Sequence, residues 1–150
     1  MTGRGIGDLR IGRTLDSVRA LCAVGRDTTR LATEGQLARL ITVSIDGEVV
    51  EAEIVDEKIW RIEVRSSRFR TADSLGVGTP LSRLLALGSA RGITGEGQLF
   101  VVSPEQCGLS FRLSDNGSRS RSQNWDRAAL SRLPAGTVVN KVLIVGCDQS

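Results

Sequence analysis

The sequence predicts an α+β fold. It reads as two helix-β-β-β units in tandem, at about residues 5–66 and 70–148. Together they form one domain over residues 1–150, with an antiparallel sheet and helices packed on one face. Three observations carry this reading. Two short motifs recur in the same order in each half. Helical spacing follows the first motif in both halves. The stretches after that alternate apolar and polar residues and are separated by turn signals.

The repeat is visible when Gly12 is set over Gly78. Leu9/Leu75, Ile11/Val77, Gly12/Gly78, Leu15/Leu81, Val18/Leu84 and Leu21/Leu87 then keep their character. Glu34-Gly-Gln-Leu37 recurs as Glu96-Gly-Gln-Leu99. In the first unit Thr14 offers a hydroxyl N-cap, with Asp16 and Ser17 in the first turn. Leu15, Val18, Leu21 and Cys22 follow at the spacing of one helix face. In the second unit Thr79 is the expected cap, Pro80 the first helical residue, and Gly88 the stop. Neither motif resembles a phosphate loop, because Gly76-Val-Gly78 lacks the third Gly and the Lys-Ser/Thr that such a loop needs.

Strands follow each helix. Leu37, Ile41, Val43 and Ile45 alternate with Ala38, Thr42 and Ser44, and Arg39 is the exception on the apolar side. Asp46-Gly47 is a hairpin turn. Val50, Ala52 and Ile54 alternate with Glu51 and Glu53. A turn at Asp56-Glu57 leads to Trp60, Ile62 and Val64, expected on the apolar face, alternating with Arg61, Glu63 and Arg65. The second half is predicted to hold strands at residues 99–102, 107–113 and 138–145. An insertion at about 114–136 is polar and rich in Ser and Arg at first. It then holds a short helix capped by Asn124 or Asp126 and ended by Pro134 and Gly136.

Composition removes several chemistries. The chain has no His, so a Ser-His-Asp triad, a Cys-His dyad and a His-ligated metal are excluded. Its three Cys form no CxxC pair, which excludes a zinc knuckle; no metal and no cofactor is expected. There is no Tyr, and five Phe and Trp in total leave few rings for base stacking. A net charge of +3 is a small excess for a nucleic-acid binder, so nucleic acid is not the expected partner. The longest purely aliphatic runs, such as residues 142–145, have four residues against the roughly 20 a spanning helix needs. Acid–base work would fall to carboxylates such as Asp56, Glu57, Asp73 and Asp126, and nothing in the spacing brings two of them into one cleft. A non-enzymatic protein is expected.

Cys107 opens one predicted strand and Cys147 closes another. Antiparallel neighbours would bring these ends within bridging distance, so a Cys107–Cys147 disulfide is one reading; three buried thiols is the other. Cys22, on the apolar helix face, is expected reduced and buried. Residues 1–5 carry no apolar run of the kind a signal peptide has. The expected location is therefore the periplasm or secreted space if a signal has been removed, and otherwise the cytoplasm.

The segments Leu9-Arg-Ile-Gly-Arg-Thr14 and Leu75-Gly-Val-Gly-Thr79, each followed by a helix and strands, resemble the tandem fold of the beta-lactamase inhibitory protein. They also resemble the single-copy small lipoproteins of the outer-membrane assembly machinery. The resemblance implies a bacterial cell-envelope binding module whose exposed sheet face meets a protein partner. The inhibitor's contact face is rich in aromatics and each of its repeats carries a disulfide. This chain has neither feature in that form, and beta-lactamase inhibition is not expected.

Two candidate sites follow. The first is the polar sheet face: Glu51, Glu53, Arg61, Glu63, Arg65 and Arg112, with Thr42, Ser44 and Ser110 beside them. These assignments rest on alternation, which a one-residue slip would reverse. The second is an anion or nucleic-acid site on the insertion, where Arg119, Arg121 and Arg127 would hold phosphate and Trp125 would stack on a base. A homodimer through an exposed sheet face or edge is a further expectation.

Overall fold

The computed structural model describes residues 1–31, 35–119 and 124–147. An N-terminal ribbon, β1 (Gly5–Ile6) and β2 (Leu9–Arg10), leads into helix α1 (Leu15–Leu21). Four strands follow: β3 (Ala23–Leu31), β4 (Leu37–Ile45), β5 (Glu48–Val55) and β6 (Lys58–Val64). Helix α2 (Leu81–Leu85) then precedes β7 (Arg91–Gly95), β8 (Gln98–Val102), a 3-10 turn at Pro104–Gln106, and β9 (Leu109–Leu113). Helix α3 (Arg127–Ser131) lies in the insertion, and β10 (Val139–Ile144) closes the sheet.

The eight long strands form one antiparallel sheet in the order β3-β4-β5-β6-β10-β9-β8-β7. Each of α1 and α2 is therefore followed by four strands, not the three that alternation predicted. The extra strands, β3 and β7, are the two edges of the sheet. An edge strand exposed on both faces carries no period-two apolar signal. The sequence of β3, AVGRDTTRL, is exposed along nearly all its length, and β7 contains two glycines. The two last strands, β6 and β10, pair at the centre through Val142 opposite Val64, Leu143 opposite Glu63 and Ile144 opposite Ile62.

The turns are as the residue types require. Asp46 and Gly47 both have positive φ (52° and 81°), which fits the twist of a two-residue hairpin. One core runs under the whole sheet. Ile41, Val43, Val50, Ala52, Ile62, Val64, Phe111, Leu113, Val142 and Ile144 meet Leu15 and Val18 of α1, Leu81 and Leu84 of α2, and Ala129 and Leu130 of α3. Burial of an aliphatic side chain of this kind contributes about 1.5–3 kcal/mol.

Both halves anchor the start of the helix to the central strands in the same way. The Gly12 N–H donates to the Ile59 carbonyl and the Gly78 N–H to the Val139 carbonyl, each at 2.7 Å. The Leu15 N–H donates to Glu57 (2.9 Å) and the Leu81 N–H to Thr137 (3.0 Å). Thr14 caps α1 as expected, its hydroxyl accepting from the Ser17 N–H at 3.2 Å. The cap expected of Thr79 is not made. Pro80 occupies the N-cap position of α2 without a side-chain bond. The buried Thr79 hydroxyl turns back instead to accept from the Gly76 N–H (2.9 Å) and from Arg70 (3.2 Å).

One strand departs from its predicted facing. Glu53 lies opposite Arg61 but Ile54 lies opposite Ile59, so Trp60 is the extra residue of a β-bulge. Ile59 takes the core position at 1% exposure, and Trp60, expected inside, is 52% exposed. Its ring lies under the Arg61 guanidinium, 5.3 Å from the ring centroid.

Cys107 and Cys147 form a disulfide with Cα atoms 5.3 Å apart. Cys22 is a free thiol, partly buried at the end of α1, and burial raises its pKa. Among the described residues no helix is long and apolar enough to cross a membrane.

Candidate functional site

The polar face of the sheet is concave. Residues from all eight strands line one groove of about 520 Å³. It takes in Arg30 and Leu31 on the β3 edge as well as Gly95 and Glu96 at the opposite, β7 edge. The two edges can border one groove only if the sheet curls toward this face. Of the nine residues that alternation placed here, Glu51, Glu53, Arg61, Glu63, Arg65 and Arg112 line it, and Thr42, Ser44 and Ser110 do not; the Thr42 hydroxyl accepts from the Arg26 N–H at 2.8 Å. Its apolar patches come from Ala38, Leu40, Phe100 and Leu143, which sequence reasoning did not assign to the site. Leu40 and Leu143 break the alternation rule, because apolar residues on a nominally polar face carry no signal of their own.

Charge pairing organises the first half of the groove. Arg30 bonds Glu51 at 2.9 Å and Arg61 bonds Glu53 at 3.0 Å. Glu51 and Glu63 are direct cross-strand partners, a like-charge arrangement that would be destabilising without cations beside it. Glu63 receives both Arg65 and, at 3.2 Å, Lys141. Burial pushes the Glu63 carboxyl up, but the hydrogen bonds and charges of Arg65 and Lys141 outweigh it and hold the group below the usual carboxylate range. Arg39, the charged exception on β4, is held by Asp27 and Glu57. The Asp27 carboxyl is lowered chiefly by its hydrogen bond from Arg39.

The insertion does not form the second candidate site as expected. Trp125 is buried, at 8% exposure. A Cβ placed on Gly117 would fall 2.5 Å from its ring, and one on Gly92 would fall 2.6 Å from the Trp125 Cβ. The indole is therefore a core side chain over two glycines and cannot stack on a base. Arg119 and Arg127 are exposed, and Arg121 lies outside the described residues. Asp126 caps α3, accepting from the Ala129 N–H at 2.8 Å. Of the other acid–base candidates, Asp73 accepts from Gln106 (2.9 Å), Glu57 pairs with Arg39 and Asp56 occupies the β5–β6 turn beside it. Among the described residues no group of three or more Cys, Asp or Glu is placed to hold a metal ion.

No protein-family model matches the chain, and no curated protein matches it. Among solved structures it is similar to the uncharacterized protein YfeY from Escherichia coli. The TM-score is 0.63 at 20% identity, covering 97% of this chain and 98% of that one. At that identity the likeness shows a shared fold over the whole length and nothing of activity.

Proposed function

We propose that this protein is a non-enzymatic binding module that takes a protein partner in the groove on the concave face of its sheet. The observation that carries the reading is the convergence of all eight strands, with Arg61, Arg65, Arg112, Glu51, Glu53 and Glu63, on one groove. Arginine and tryptophan are among the residue types enriched in the hot spots of protein interfaces, and Arg61, which lines the groove, stacks on the exposed Trp60 ring. The Cys107–Cys147 bridge supports an oxidising compartment, the cell envelope or the secreted space. We also read the two halves as tandem copies of one plan, now helix plus four strands. The matched bonds Gly12–Ile59 and Gly78–Val139 support that reading.

The test is site-specific photo-crosslinking in the native host. A photoreactive residue replaces Ala38 or Gln98, uncharged lining residues from opposite halves of the groove. The control position is Arg132 at the end of α3. The groove positions are expected to yield one discrete adduct that the control does not, and Glu53→Arg with Arg61→Glu should weaken it. Equal yields from groove and control positions would remove the reading.

A further inference from the structure

The groove is not electrically balanced along its length. Lys141 of β10 and Arg112 of β9 are direct cross-strand partners. Such a pair brings Cβ atoms within about 5 Å, and like charges so placed repel. Val142 lies opposite Val64, the last residue of β6; Arg65 follows it at the strand's end and shares a Glu63 carboxylate oxygen with Lys141. Three cations therefore stand in a row across β9, β10 and the end of β6. One carboxylate, Glu63, serves two of them. Among the described residues the Arg112 guanidinium reaches no carboxylate; its Nε donates to the neutral Asn140 side chain at 2.8 Å. The like-charge pair Glu51–Glu63, by contrast, has Arg30, Arg65 and Lys141 beside it. The Lys141 side chain is only 14% exposed and Glu63 18%, so water screens the Lys141 end of this row poorly, while Arg65, at 69%, reaches out to solvent.

Phe100 of β8 is the cross-strand partner of Arg112 on its other side and also lines the groove. A cation surplus thus lies next to an aromatic ring. We infer that Arg112, with Lys141 behind it, is the anchor for a carboxylate carried by the partner's bound segment, with the neighbouring apolar side chain of that segment packing on Phe100. The asymmetry of the Asn140 bond fits this role: it ties Nε and, among the described residues, leaves the two terminal nitrogens to make a bidentate pair with a carboxylate. The inference rests on the groove being the partner site, and deepens it to the chemistry of recognition.

The probes are two blocked dipeptides, acetyl-Phe-Glu-amide and its neutral twin acetyl-Phe-Gln-amide, with inorganic phosphate as a third. Each is titrated into the ¹⁵N-labelled, oxidised protein, with the backbone amide resonances of the cross-strand neighbours Phe100 and Lys141 as the readout in parent and variants, and the Arg112 Nε–Hε resonance as a second readout in the parent. The Glu peptide is expected to saturate in the millimolar range. The Gln peptide, and the Glu peptide on Arg112→Gln, should each bind at least tenfold more weakly. Arg112→Lys, which keeps the charge and loses the planar fork, should fall between. Arg112→Gln should also unfold at or above the parent's temperature, because it removes one member of a repelling pair. Equal binding of both peptides, absence of saturation, or a shift that survives Arg112→Gln overturns the inference. Phosphate binding tighter than the Glu peptide overturns the carboxylate assignment. A clear drop in the unfolding temperature of Arg112→Gln assigns Arg112 to the fold instead. Groove crosslinks with no carboxylate binding would remove this inference and leave the partner site standing; carboxylate binding with no groove-specific crosslink would remove the partner site.

Discussion

Replacing both Cys107 and Cys147 by Ser opens a ring of 40 residues that holds β9, the insertion and β10 together. In chain-entropy terms, closing a loop of that length removes about 13 cal/mol/K from the unfolded ensemble, or about 4 kcal/mol at 25 °C. For a chain of this size each kcal/mol moves the unfolding temperature by roughly 2–4 °C, so the double variant should melt roughly 8–16 °C lower. The native side adds to this loss. A Cβ on Gly3 would sit within 2 Å of the Cys107 carbonyl oxygen, and Ile11 packs against Gly146, so the N-terminal ribbon is seated on the bridged ends. The assay is urea and thermal unfolding of parent and double variant side by side. A thiol titration of the denatured parent should find one reactive Cys, residue 22. A loss under about 1 kcal/mol would refute the loop-closure argument, and three titratable thiols in protein folded under oxidising conditions would refute the bridge itself.

The two tryptophans should behave in opposite ways. Trp125→Ala empties a buried site and should cost about 3–5 kcal/mol. Trp60→Ala removes a half-exposed ring and should stay within about 1 kcal/mol in denaturant unfolding, and acrylamide should quench Trp60 far more than Trp125. Glu63 should set part of the acid limb of stability. Its folded pKa lies below the unfolded value, so its contribution is full above about pH 4.3, the ordinary glutamate value, and is lost as pH falls through the folded value. Glu63→Gln should flatten the stability profile in that acid window, and an unchanged slope would contradict the assignment. Gly3→Ala should destabilise strongly, because its Cβ has no space against backbone atoms of Cys107 and Gly108; a neutral result in thermal unfolding would show that the ribbon is not seated there.

Particular residues show why sequence reading succeeded in some places and not in others. Asp46-Gly47 set a hairpin, and with it the register that puts Glu51 and Glu53 on the face opposite Val50 and Ala52. Those relations are local, and backbone geometry with period-two alternation decides them. The same rule put Arg61, Glu63, Arg65 and Arg112 on the polar face. It could not say that the face is concave, nor that Leu40, Leu143 and Phe100 lie in it. Trp60 was misplaced because a bulge one residue long shifts the alternation without leaving any mark in hydrophobic spacing. Trp125 was misplaced because the space that receives it is made by Gly92 and Gly117, whose missing side chains matter only once the strand and the loop are brought together. The edge strands β3 and β7 were missed because each is hydrogen-bonded on one side only and is largely exposed.

From the sequence by itself came the α+β class, the antiparallel pairing within the first meander, the helix start at Thr14, the charged character of one sheet face and the chemistries that a chain without His cannot perform. All of these depend on neighbours in the chain or on composition. The tertiary structure alone decided that β6 and β10 meet at the centre, that the sheet curls until both edges border one groove, and that Lys141 faces Arg112 with one carboxylate too few. Those relations join residues that are far apart along the chain, 29 positions for Lys141 and Arg112 and 82 for Ile144 and Ile62, and no periodicity reaches across such a separation. Strand pairing across the sheet brings them together.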